Sequence, residues 1–182
     1  MTWINPILIL LSACLAVFWQ TAFHGVRHLL GAQIDLLPAL MVYASLSAGF
    51  TSVVLLSVCG GLWFDSLSAN PLGVSVLPLL LVGVALYSSR DLILRSQTFA
   101  RFFLGFAASI AVPLFALILL LTTSQRPLLG WGTLWQFLVM SVAGGIACPV
   151  YFELFGWLQR LLGPAQVSEP SFRSDREIRR GR

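Results

Sequence analysis

Long apolar runs separated by short polar stretches set the pattern of this chain. The first run, Trp3 to Phe23, has 21 residues, which suits a bilayer core of about 30 Å. Trp3 and Trp19 stand where interfacial anchors belong. "HGVRHLLGAQID", His24 to Asp35, is a polar connection. Leu36 to Phe64 then carries no formal charge over 29 residues. As one helix it would be roughly 44 Å long, more than the core needs. "SLSAGFTS", Ser45 to Ser52, offers a break. Gly49 is a natural helix terminator, and the Ser and Thr residues can cap the next helix. The pattern predicts two short helices here, Leu36–Gly49 and Ser52–Asp65.

After the loop "SLSANPLG" comes Val74–Ser88, with Pro78 near its start, where proline is least disruptive. "SRDLILRSQTFAR", Ser89 to Arg101, reads as a basic linker lying along a membrane surface, with Asp91 and Arg95 spaced to pair. Phe102–Thr122 is the next span, with a kink expected at Pro113. Trp131–Leu158 is the last, with Gly144, Gly145 and Pro149 in its middle. Gly pairs allow close helix approach, and Pro149 allows a bend. The fold class is therefore all-α: a polytopic helical bundle over residues 1–162 with six transmembrane helices, or five if Leu36–Phe64 crosses once.

Composition sharpens this picture. Only 10% of the residues are charged and the mean hydropathy is +0.88, where soluble domains carry about 25% charge. All eleven basic residues are Arg. With six spans, nine of them (Arg90, Arg95, Arg101, Arg160 and five in the tail) share one side, and Arg27 and Arg126 lie opposite. The excess places that side, and the C-terminus, in the cytoplasm. With five spans the count becomes ten to one, so charge does not choose between them. Residues 163–182 differ in kind: two prolines and five Arg against three acids make a disordered basic cytoplasmic tail. Nothing offers the basic face of a folded nucleic-acid-binding domain.

Candidate chemistry is sparse. His24 and His28 share a helix face but have no third ligand in view and read as an interfacial pair. Cys14, Cys59 and Cys148 lie in apolar runs without metal-ligand clustering and read as small buried residues. "LSAC", Leu11 to Cys14, mimics a lipoprotein processing box, yet no basic n-region precedes it and the apolar run continues past it. Glu153, near the end of the last span, reads as interfacial rather than as part of a proton path.

Asp65 is the most informative acid. It ends a helix, where a carboxylate faces the unfavourable end of the dipole at a cost of about 0.3–1 kcal/mol. Backbone N–H groups of Ser66 to Asn70, and of the next helix after Gly73, are candidate compensators. Pro71 stiffens the turn and Gly73 permits a conformation or close approach denied to other residues. Asp65 is then a loop-organising cap, with contact to a partner or ligand at the external mouth as the functional alternative.

"DLLPALMVYASL" and, further on, "GGLWFDSLSANPLGVSVLPLLLVGVALY" resemble the rod-shape-determining MreD family. The likeness rests on Pro38 leading the second span, a Gly-rich third span ending in "GGLWFDSLS", "PLGVSVL" opening the fourth, and Pro149 in the last. It covers roughly Trp3 to Leu162. The resemblance implies a non-enzymatic, six-helix protein of the bacterial cytoplasmic (inner) membrane that needs no cofactor. Its helices would be arranged like those of the substrate-binding subunits of energy-coupling-factor vitamin transporters. It implies partnership with the membrane-anchored periplasmic protein MreC, a link to the MreB cytoskeleton, and support of the peptidoglycan glycosyltransferase and transpeptidase that build the lateral wall.

Two function classes are open. In the first, the protein is a scaffold of the cell-elongation complex. Helices pack through Gly60–Gly61 and Gly144–Gly145, and the loop of Asp65, Pro71 and Gly73 meets a periplasmic partner. The tail arginines Arg173, Arg176, Arg179, Arg180 and Arg182 meet anionic lipid or a cytoplasmic partner, at about 1 kcal/mol per Arg near an anionic surface. In the second, the protein is a solute-binding transporter subunit with a pocket near Asp65 and the His24–Asp35 loop. Such a pocket is mostly apolar with a few placed polar groups.

Overall fold

The helices fall close to where hydropathy places them. The structure is a computed structural model that describes residues 4–22, 31–68, 71–90, 98–122 and 130–162. Six helices run through them: α1 (Ile4–Ala22), α2 (Leu37–Ser47), α3 (Phe50–Leu67), α4 (Val76–Ser88), α5 (Thr98–Thr122) and α6 (Trp131–Leu162). No strand occurs among the described residues. Three of the helices, α3, α5 and α6, are long and apolar enough to cross a membrane. α1, α2 and α4 contain shorter apolar stretches. The sequence-predicted His24–His28 pair, the Asp91–Arg95 pair and the basic tail lie outside the described residues.

The break in the long uncharged stretch is at Ala48–Gly49, as the Ser/Gly content suggests, but its chemistry differs from the expected one. Gly49 does not terminate α2 in a left-handed conformation. It is the extended N-cap of α3 (φ −82°, ψ 166°), and no side chain caps that end. Its carbonyl accepts from Ser52 N and Val53 N at 2.9 and 3.4 Å. α3 thus begins at Phe50 and runs on through a π-helical turn, Leu56–Gly60. It reaches Leu67, which puts Asp65 inside the last turn rather than at the end. α4 starts two residues later than expected, at Val76, with Pro78 in its first turn. α5 and α6 remain helical through Pro113 and Pro149.

α2 is the centre of the molecule. Every residue from Leu37 to Leu46 is buried, and α1, α3, α4, α5 and α6 all pack on it. On the α6 side, Tyr43 stacks on Phe155 at 4.3 Å and meets Phe152 edge-on at 5.1 Å. Gln159 Nε2 donates to the Tyr43 hydroxyl at 3.3 Å. α1 contributes one face, with Ile9, Ala13, Ala16 and Val17 buried and Ile7, Leu11, Leu15 and Phe18 exposed. This is the 3–4 spacing of a helix stripe. The other face is as apolar as the buried one. α5 and α6 likewise expose Phe103, Phe115, Leu138 and Val150. A water-exposed surface of this kind is rare, and it is compatible with a bilayer surround. Cys14 is exposed and Cys59 half-buried, so of the three cysteines only Cys148 is a core residue.

α5 and α6 pack along most of their length through small residues. A Cβ on Gly105 would stand 2.5 Å from Cys148 Cβ and 2.6 Å from Gly144 O. A Cβ on Gly144 would overlap the Ser109 side chain. Gly105/Ser109 and Gly144/Cys148, four apart on each helix, form the crossing. At Gly145 the approach is looser: a Cβ there would stand 3.0 Å from the Phe102 ring. Near the α5 start, the Arg101 guanidinium lies 4.5 Å from the Phe152 ring centroid. Arg90, just past α4, lies 4.3 Å from that of Tyr87.

Candidate functional site

Two features meet where α3 turns into α4. The first is the junction itself. Asp65 is 1% exposed. Its Oδ2 accepts from Gly73 N at 2.8 Å and from Ser75 N at 3.1 Å. The carboxylate therefore ties the last turn of α3 to the backbone entering α4, the capping role the sequence suggests. The described donors come from Gly73 and Ser75, not from Ser66 to Ser68. Hydrogen bonds of this charge-assisted kind are worth about 1.5–3 kcal/mol.

Gly73 has φ +92°, in the region that side chains resist. A Cβ there would touch nothing, so backbone conformation, not space, requires glycine. Close approach is the requirement at Gly61 instead, where a Cβ would lie 2.9 Å from Val76 Cα. Gly60 is buried but would meet only ordinary contacts with Leu37 and Leu56 at 3.4 Å. Pro71 is exposed, and its carbonyl accepts from Val74 N at 3.3 Å. The Asp65 side chain is out of reach of a partner, and the exposed groups beside it among the described residues include Ser66, Leu67, Pro71 and Leu72.

The second feature is a cavity of about 230 Å³ beside this junction, which sequence reasoning placed only by neighbourhood. Its polar side is Gln33, Asp35, Ser75 and Gln136. Its apolar lining comes from α2, α3 and α4 (Leu37, Phe64 and Leu79) and from α5 and α6, including Val112, Ala116, Leu117 and Phe137. The Ser75 that lines it is the one whose N–H Asp65 holds. Gln136 joins α6 to the segment before α2: Gln33 N donates to its Oε1, and its Nε2 donates to Gln33 O, both at 3.4 Å.

Asp35 sits at 5% exposure. Its Oδ1 accepts from Leu37 N at 3.0 Å, satisfying one of the free donors at the start of α2. Burial pushes its carboxyl up to about 6, against the opposing pull of the Leu37 N–H and the nearby Gln20 side chain. The Gln20 amide itself has no hydrogen bond of standard geometry. Sequence analysis did not single out Asp35, although an Asp just before Leu-Leu-Pro is a helix-start pattern that could have marked it. Gln33 and Gln136, 103 residues apart, carried no such signal.

Gly144, Gly145 and Pro149 lie away from this site, in the middle of α6. Glu153 is exposed. No group of three metal-ligating side chains forms among the described residues. Comparison with known proteins finds no matching family description, no similar curated protein and no similar solved structure. Fold and site thus define a class: an all-helical protein with three helices of membrane-spanning length around a buried central helix, carrying a polar-sided cavity at the α3–α4 junction.

Proposed function

We propose that the protein is a non-catalytic, multi-pass component of the bacterial cytoplasmic membrane that scaffolds the cell-elongation complex. The observation that carries the reading is the placement of the residues that resemble MreD. "GGLWFDSLS" and "PLGVSVL" build a single α3–α4 junction, in which Gly61 meets Val76 and Asp65 holds Gly73 and Ser75. In this reading all six helices cross the bilayer, with the shorter α1 and α4 packed on α2. Arg90, Arg101 and Arg160 mark the cytoplasmic end together with the tail arginines, which meet anionic lipid. The junction then faces the periplasm, where an MreC-like partner contacts the exposed Leu67, Pro71 and Leu72. Coupling to MreB and to the glycosyltransferase and transpeptidase runs through that assembly.

A second reading, a solute-binding subunit of an energy-coupling-factor type transporter, draws its support from the polar-sided cavity at the same end. Purification of the tagged chain from native membranes in mild detergent separates the two. Co-purification of an MreC-like protein and wall-elongation enzymes is expected. Recovery of paired ATPases with a transmembrane coupling subunit would replace the scaffold by the transporter reading.

A further inference from the structure

Asp35 is the sole ionisable group among the described residues lining the cavity; no Arg, Lys or His among them shares the wall. One carboxyl oxygen is engaged by Leu37 N–H. A contact at the start of α2 accounts for that bond, but it does not require a half-open, largely apolar cavity beside the carboxyl. A carboxylate removed from water is costly unless a cation or strong donor faces it. The other polar lining residues, Gln33, Gln136 and Ser75, are neutral and carry acceptor oxygens beside their own donors. The rest of the lining is aliphatic and aromatic: Leu37, Phe64 and Leu79, Val112 to Leu120 on α5, and Phe137 and Met140 on α6. The lining is thus largely hydrocarbon, with one carboxyl among a few neutral polar groups.

We propose that this cavity binds a small amphiphilic amine, its ammonium head at Asp35 and its apolar body between α5 and α6. A ligand carboxylate would face Asp35 and be repelled. A purely apolar ligand would gain nothing from the carboxyl, which Leu37 N–H and the nearby Gln20 amide alone would then face. At about 230 Å³ the cavity is below the roughly 300–1,000 Å³ of pockets for drug-sized ligands, so the part of the occupant it holds is a short chain or a single ring. An ammonium on an apolar body is carried both by free amines and by ethanolamine lipids. The inference does not depend on the scaffold reading, because failure to recover an MreC-like partner leaves the measured amine binding untouched.

The test uses the full chain in phosphatidylcholine nanodiscs, titrated calorimetrically with hexylamine, hexanol and hexanoate. Saturable one-to-one binding of hexylamine is expected, at least tenfold tighter than hexanol, with no saturable binding of hexanoate. Asp35→Asn is expected to bring hexylamine down to the level of hexanol. Ala116→Phe, which fills the chamber from α5, is expected to abolish binding of both. The head-group series on the unaltered chain carries the test if either variant fails to fold. In discs containing phosphatidylethanolamine, weakened hexylamine binding identifies the lipid head as the occupant, and unchanged binding identifies a free amine. The proposal is overturned by equal binding of hexylamine and hexanoate, by the absence of saturable amine binding, or by amine binding that survives both substitutions.

Discussion

Asp65 and Gly73 show how two residues can hold one turn by different physics. Asp65 supplies an acceptor for two backbone N–H groups in a buried place. Asp65→Ala is expected to lower stability by about 2–4 kcal/mol, with Asp65→Asn intermediate because the amide oxygen still accepts. Thermal unfolding in detergent, followed by tryptophan fluorescence, measures both. Gly73 supplies a positive φ with open space around it. Gly73→Val is expected to cost roughly 1–3 kcal/mol from backbone strain, and to weaken partner recovery with it. Unchanged melting in that variant would remove the backbone argument.

Asp35 adds a pH dependence of definite sign. Its folded pKa, raised to about 6 by burial, exceeds the ordinary value of 3.8. The folded state therefore holds the proton more tightly than the unfolded one. The stability linked to this group is fully present below the ordinary value and is lost as pH rises through about 6. Asp35→Asn is expected to flatten the melting profile between about pH 4 and 7.5. It should gain roughly 2–3 kcal/mol at the upper end, at about 1.4 kcal/mol per unit. A slope that persists in the variant would assign it to another group.

At the scale of elements, the α5–α6 crossing has the tightest backbone approach. Gly144→Val is expected to force the helices apart, because its side chain would occupy the place of Ser109. A loss at or above the upper end of the usual roughly 1–3 kcal/mol for overpacking is expected. Gly156→Val on the same helix meets nothing within 4 Å and is expected to be nearly silent. Comparison of the two variants by thermal melting separates the crossing from any general intolerance of α6 to valine. The α2–α3 break teaches the complementary lesson. Ser45, Gly49 and Ser52 located it to within a residue or two. Yet Ser45 Oγ bonds back to Met41 O at 2.6 Å instead of capping, and Gly49 stands at an N-cap in an extended conformation. Composition marks a break, and the competition between local hydrogen bonds decides how it is made.

At the scale of the whole molecule, the tail and the bundle are separable in the proposed reading. Deletion of Gly163–Arg182 is expected to leave membrane insertion intact, because the helices carry their own transfer energy, and to weaken association with anionic vesicles. Fractionation of the truncated chain checks the first and vesicle flotation the second; loss of the truncated protein from membranes would contradict the separation.

Hydropathy along the chain determined the helices, because an apolar run of sufficient length with no charge has few alternatives to a helix in an apolar surround. Local sequence also marked Asp65 and Gly73, because a carboxylate in a turn and a glycine after a proline have short-range reasons to be there. What neither determined was which faces meet. α2 is apolar on every side and buried on every side, while α1 is apolar on every side and buried on one. In a chain whose exposed faces are as apolar as its core, the same residue types serve both surfaces and no periodicity separates them. The packing of α2 at the centre, and with it the meeting of Gln33 and Asp35 with Gln136 across 103 residues, came only with the tertiary structure. The reason is physical: the cavity's polar wall is built from single residues on separate elements, each too sparse to leave a pattern of its own.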